Sequence, residues 1–218
     1  MLLLEGPRLA PLSGSEPDAL VILIHGYGSN GEDLISLARL MQPSLPFAAF
    51  VAPNAPSQLP HMAAAYQWWP IETFSMAERA AGAAAAAPAL DAFISEEMKK
   101  AGLTSDRLLL VGFSQGTMMA LHVGLRRPEA VAGIVGISGM LVAPESLEAD
   151  IRSRPPVLLI HGTQDDVVPV RSMDLASSAL ATVGVPVETH ASAGLGHSVG
   201  PDGLSAATQF ARRALTHS

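Results

Sequence analysis

The sequence predicts an α/β fold with a mostly parallel central sheet and helices on both of its faces. Short continuous apolar runs such as Ala19 to Ile24, Leu108 to Val111 and Pro156 to His161 read as strands covered on both sides, because a strand with one wet face would alternate. Stretches of helical periodicity separate these runs, and strand-helix alternation builds a parallel sheet. The composition agrees, since 49% hydrophobic and only 15% charged residues suit extensive burial. At 218 residues the expectation is one domain spanning 1–218.

Taken in order, residues 1–18 mix Gly, Pro and Ser with little periodicity and are expected to give an edge strand and a loop. The strand from Ala19 to Ile24 ends in His25-Gly26-Tyr27-Gly28-Ser29-Asn30-Gly31. This glycine spacing fits neither a phosphate-binding loop nor a dinucleotide fingerprint, and no Lys-Ser/Thr pair follows. The glycines instead let the main chain approach a reacting oxygen, with the N–H of Tyr27 as the natural donor. Glu32 to Met41 is periodic and helical, and Phe47 to Ala52 is a short strand stopped by Pro53.

Residues 53–77 form the longest stretch without a clear element, and long loops in compact domains tend to be functional. Met62, Trp68 and Trp69 fall here and are candidates to line a substrate groove. The competing reading is that the tryptophans pack the loop onto the sheet. Glu78 to Ala101 is an alanine-rich helix in which Pro88 is expected to produce a kink or a break.

After the strand from Leu108 comes Gly112-Phe113-Ser114-Gln115-Gly116, and then a helix from Thr117 to Leu125. A serine at such a strand-to-helix turn is held in a strained backbone conformation, and the residues two positions away on each side must lack a Cβ. Val131 to Ser138 is the next strand, and Gly139 to Arg154 is a polar connection too short to build a cap domain. The active site is therefore expected to be open. A strand from Pro156 to His161, a helix from Arg171 to Val183, a strand from Pro186 to His190 and a helix from Asp202 to Thr216 complete the chain.

In open parallel sheets chemistry collects beyond the carboxyl ends of the strands. Ser114, Asp165 and His197 each follow a predicted strand, so one topology brings them to the same edge. A serine hydroxyl needs a base to take its proton, and a carboxylate must then orient and stabilise the imidazolium. Among seven histidines, His197 is selected by its glycine-flanked loop, His161 more naturally structures its His-Gly turn, His190 lies within a strand and His217 is terminal. Adjacent Asp165 and Asp166 leave the acid open from position alone.

The chain order nucleophile, acid, histidine is that of the α/β-hydrolases. More closely, the sequence resembles the phospholipase/carboxylesterase family of small α/β-hydrolases, which includes acyl-protein thioesterases. The resemblance runs from about residue 18 onward through His25-Gly26-Tyr27-Gly28, the Gly112–Gly116 turn, His161-Gly162-Thr163-Gln164-Asp165-Asp166-Val167-Val168-Pro169 and Gly194-Leu195-Gly196-His197-Ser198. It implies Asp165 as the acid, four residues before the proline of its motif, and the N–H groups of Tyr27 and Gln115 as oxyanion donors. Two departures stand out: Thr163 where members usually carry an acid, and Trp69-Pro70 where many carry a smaller aromatic and an aspartate.

The expected reaction is hydrolysis of carboxylic esters or thioesters of short-to-medium acyl chains, with lysophospholipase or acyl-protein thioesterase activity as alternatives. A non-catalytic binding protein on the same fold is the rival of another class. A net charge of −7, with no Lys/Arg run longer than a pair, argues against a nucleic-acid partner. Without cysteine there is neither disulfide nor thiol nucleophile. No metal or cofactor is expected, since His25, His161 and His197 lack short ligand spacing. Met1 to Leu4 is too short for a signal-peptide core, and no apolar segment reaches the roughly 18 residues of a membrane span, so a cytoplasmic setting is expected. Exposed apolar residues of the 53–77 loop would suit a homodimer contact.

Overall fold

The computed structural model describes residues 4–216, so Met1 to Leu3, His217 and Ser218 lie outside the described residues. The first elements are β1 (Arg8–Leu9), β2 (Ala19–Ile24), α1 (Gly31–Met41) and β3 (Ala48–Val51). Within the 53–77 stretch a small hairpin forms from β4 (Ser57–Gln58) and β5 (Tyr66–Gln67). Then follow α2 (Met76–Ala101), β6 (Leu108–Phe113), α3 (Gln115–Gly124), β7 (Gly133–Ile137), α4 (Leu147–Asp150), β8 (Val157–Gly162), α5 (Arg171–Thr182), β9 (Val187–Ser192) and α6 (Pro201–Thr216).

The main sheet has the order β1-β3-β2-β6-β7-β8-β9, and every pairing except β1 with β3 is parallel. Alternation along β2 shows how it is buried on both faces. Leu20, Ile22 and Ile24 join one apolar cluster with residues of α2, α3 and α5, while Val21 and Leu23 join another with residues of α1 and α6. Period-two packing of wholly apolar strands thus yields the two helical layers. No inserted unit of cap size interrupts this plan among the described residues. None of the described helices is long and apolar enough to cross a membrane.

Pro88 neither ends nor divides α2, which runs unbroken from Met76 to Ala101. Both Pro88 and Ala84 are exposed, so the carbonyl that loses its helical partner faces water. The ends of α2 are secured by Ser75, whose side chain accepts the N–H of Glu78, and by Gly102 at φ 66°.

The strand order reverses between β2 and β6: from β2 the chain steps outward to β3, then crosses to β6 and continues the other way. Their carboxyl ends deliver the His25–Gly31 loop and Ser114 to neighbouring positions at this switch point, where open α/β sheets form their crevice.

Candidate active site

Ser114 adopts φ 55° and ψ −116°, a conformation a non-glycine residue occupies only when its surroundings impose it. The surroundings here are backbone. A Cβ on Gly112 would lie 2.4 Å from the carbonyl oxygen of Gly116, and one on Gly116 would lie 1.9 Å from that of Ile24. The N–H of Ser114 donates to Ile137 O at 2.8 Å, and Thr117 Oγ1 accepts the N–H of Ile137 at 2.9 Å, which ties the turn to β7. Ser114 is half-buried at the head of α3.

Around Ser114, the backbone N–H groups of Tyr27 and Gln115 donate to no acceptor among the described residues. That of Gln115 is free because it opens α3, whose first turn has no intrahelical acceptor. The Tyr27 loop is fixed from behind: Gly28 N–H donates to Tyr66 O at 2.8 Å and Tyr66 N–H to Ser29 O at 2.9 Å. Gly26 permits the approach, since a Cβ there would sit 3.1 Å from Ser114 Cβ.

Asp165 follows β8 and its carboxylate is wholly buried. Its Oδ1 accepts the N–H groups of Val167 at 3.0 Å and Val168 at 2.8 Å, and its Oδ2 accepts Nδ1–H of His197 at 2.8 Å. Burial alone would raise the carboxyl pKa, but the bonds from His197 and the two amides outweigh it and hold the group below its ordinary value. Asp166 is exposed.

Hydrogen bonds tie the histidine loop to the acid loop. Gln164 N–H donates to Leu195 O at 2.9 Å, Thr163 N–H to Ser192 O at 3.0 Å, and Gly194 N–H to Thr163 Oγ1 at 2.9 Å. Thr163 thus stitches the acid loop to the histidine loop. The His197 ring lies against Phe113, the neighbour of Ser114, with centroids 5.0 Å apart.

A family model described as phospholipase/carboxylesterase matches residues 12–215. The chain belongs to the phospholipase/carboxylesterase family. Its sequence is similar to acyl-protein thioesterase 1 of Gibberella zeae, 28% identical over 229 residues that cover 95% of this chain and 97% of the relative. It is 32% identical to acyl-protein thioesterase 1 of Schizosaccharomyces pombe over 166 residues, covering 69% of this chain and 70% of that one. Among solved structures, esterase PE8 is 47% identical, with a TM-score of 0.94, covering 98% of this chain and 100% of that chain. Acyl-protein thioesterase 2 of Zea mays, at 24% identity and a TM-score of 0.78, shares the fold.

In this phospholipase/carboxylesterase member, Trp68 and Trp69 do not present their rings as an open wall. They are 3% and 4% exposed and join the core cluster that also holds residues of α2 and α3. Trp68 Nε1–H donates to His25 O at 3.0 Å, and Trp69 covers Gly82 so closely that a Cβ there would fall 2.2 Å from its ring. Met62 is 55% exposed, in the turn between β4 and β5.

Three contributions escaped sequence reasoning. The side chain of Gln115 is buried, with Oε1 accepting Trp68 N–H at 2.9 Å and Nε2 donating to Trp69 O at 3.0 Å, so it clamps the aromatic segment to the serine turn. His25 is buried as a neutral imidazole, Nδ1–H donating to Gly26 O at 2.7 Å and Nε2 accepting Ala55 N–H at 2.9 Å; burial lowers its pKa. His161 lies behind the acid, its Nε2 2.8 Å from Val168 O and 3.3 Å from Asp165 Oδ2. The His-Gly pairs were visible in sequence, but the partners of each ring were not.

Proposed function

We propose that this protein is a serine carboxylesterase that cleaves esters or thioesters of short-to-medium acyl chains through an acyl-enzyme on Ser114. The observation that carries this reading is the His197 ring held by buried Asp165 beside a strained serine turn with two unpaired N–H groups. A carboxylate only accepts, so the proton of His197 is on Nδ1 and the lone pair is on Nε2. Nε2 is then the base for Ser114 Oγ. No hydrogen bond joins these two atoms among the described residues, and such contacts commonly tighten only with substrate bound.

As Oγ attacks the acyl carbon, negative charge develops on the acyl oxygen and is received by the N–H groups of Tyr27 and Gln115. Each such donor typically lowers the barrier by about 2.7–4 kcal/mol. Collapse expels the alcohol or thiol with the proton returned from His197, and water repeats the sequence to release the acid. The relatives named as thioesterases support including thioesters, which the same machinery can cleave. We place this reaction in the cytoplasm on the sequence expectation.

Ser114→Ala should abolish hydrolysis of a short-chain p-nitrophenyl ester, and a fluorophosphonate should label the wild type at Ser114 only. Retention of most activity in the variant would overturn the proposal. Labelling without turnover would revive the non-catalytic alternative.

A further inference from the structure

A cavity of about 670 Å³ opens beside the acid loop. Its apolar wall includes Met76, Met140, Val167 and Leu175. Two of these adjoin the proposed catalytic residues through the backbone. The N–H of Val167 donates to Asp165 Oδ1, and Met140 follows Gly139, where a Cβ would lie 2.9 Å from Ser114 O. Met76, Val167 and Leu175 are 46%, 60% and 68% exposed, and large apolar side chains gathered at one opening mark a binding surface more often than chance.

The polar lining is what gives this cavity a preference. Arg79 and Arg171 both border it, with Arg79 Nη1 3.9 Å from Met76 Sδ. Neither arginine forms an ion pair among the described residues, a state shared with Arg39, Arg152, Arg154 and Arg212, and of these six only Arg79 and Arg171 border this cavity. The sole carboxylate lining the cavity is Asp174, one turn along α5 from Arg171, and it pairs with no cation. Two unpaired guanidinium groups beside an apolar channel, in a chain of net charge −7, complement a ligand that is greasy in the middle and anionic at its end.

We propose that this cavity takes a limb of the ester substrate that is apolar near the scissile bond and ends in a carboxylate held by Arg79 and Arg171. The inference rests on the esterase reading above and names its substrate class: esters that carry a distal carboxylate. Arg79 and Arg171 are specificity residues with no part in the proton transfers.

The test uses matched pairs of equal length. For an acyl-side limb the pair is mono-p-nitrophenyl adipate against p-nitrophenyl hexanoate; for an alcohol-side limb it is 6-acetoxyhexanoate against hexyl acetate. The ratio of kcat/KM, anionic over neutral, should be about 10 in the wild type for one pair, the scale of a charge-assisted contact. It should shrink with added salt and fall to about one in the Arg79→Gln/Arg171→Gln double variant. Each ratio is internal to one protein, so partial misfolding cancels. A wild-type ratio at or below one for both pairs, or a ratio the double variant leaves intact, would overturn the inference. Failure of the esterase reading is distinct: neither member of either pair would then be hydrolysed in a Ser114-dependent way.

Discussion

Asp165 and His197 meet through a 2.8 Å bond from Nδ1–H to Oδ2, on a carboxylate without solvent exposure, while the adjacent Asp166 stands in water. Asp165→Asn would present an amide that no longer favours the Nδ1–H tautomer or stabilises the imidazolium. A fall in kcat of about 10⁴-fold is expected. Asp166→Asn should stay within about twofold, as surface substitutions away from such networks do. Steady-state ester hydrolysis by the two variants decides the assignment, and the reverse pattern would move the acid by one residue.

His161 tests how far the acid depends on its backing. A carbonyl can only accept, so Nε2 of His161 carries the proton it directs at Val168 O, with Asp165 Oδ2 3.3 Å away. His161→Ala removes this donor and should lower kcat by about tenfold with KM little changed, in line with the loss of an outer hydrogen bond that orients a catalytic group. His161→Gln can place an amide N–H near the same point and should recover part of the rate.

The Gln115 clamp should matter for stability as well as rate. Gln115→Ala would leave the buried Trp68 N–H and Trp69 carbonyl without partners. A loss of about 2 kcal/mol is expected, the scale of an unsatisfied buried polar group, read as a lower midpoint in urea. Because the segment also braces the turn that offers the Gln115 N–H, kcat should fall with it.

Gly116→Ala places a methyl group where the structure has backbone, 1.9 Å from Ile24 O. The clashing atoms are backbone of β2 and of His25, which no side-chain rotation can move aside, so relief requires shifting α3 or the end of β2. Destabilisation of about 3 kcal/mol is expected, at the upper end for overpacking, measured by thermal or urea unfolding.

Acid sensitivity should trace in part to His122. Burial first, and then the charge of Arg126, lower its pKa from 6.5 to about 4. A group with a depressed pKa binds fewer protons folded than unfolded between those two values. Its contribution is therefore fully retained above about pH 6.5 and is lost as the pH falls toward about 4. The Tm should decline across this window, and His122→Gln should flatten the decline.

Much of this arrangement was legible in the sequence because its causes are local. Apolar runs of strand length, the glycines around Ser114 and the order of the three strand ends each follow from neighbours within a few residues. The 53–77 segment was not legible. Its hairpin has strands of two residues, too short for a periodic signal, and it is ordered by contacts such as Gln115 with Trp68, 47 positions apart. That α2 continues through Pro88 was not legible for a related reason, since whether a missing N–H breaks a helix depends on which side of the helix faces water. The arginine-bordered cavity draws on α2, the segment after β7, the acid loop and α5, and no spacing rule links those segments.

By itself the sequence determined a parallel α/β sheet, a serine on a strained turn and the chemical types able to activate it, because backbone sterics and strand periodicity are properties of adjacent residues. Position alone left Asp165 and Asp166 open and the family motif implied Asp165, whereas only the tertiary structure decided that its carboxylate is buried against the histidine, that the tryptophans turn inward and that Gln115 clamps them. Those outcomes depend on which distant groups share a buried volume, where an unpaired polar atom is costly and a well-placed partner settles the arrangement.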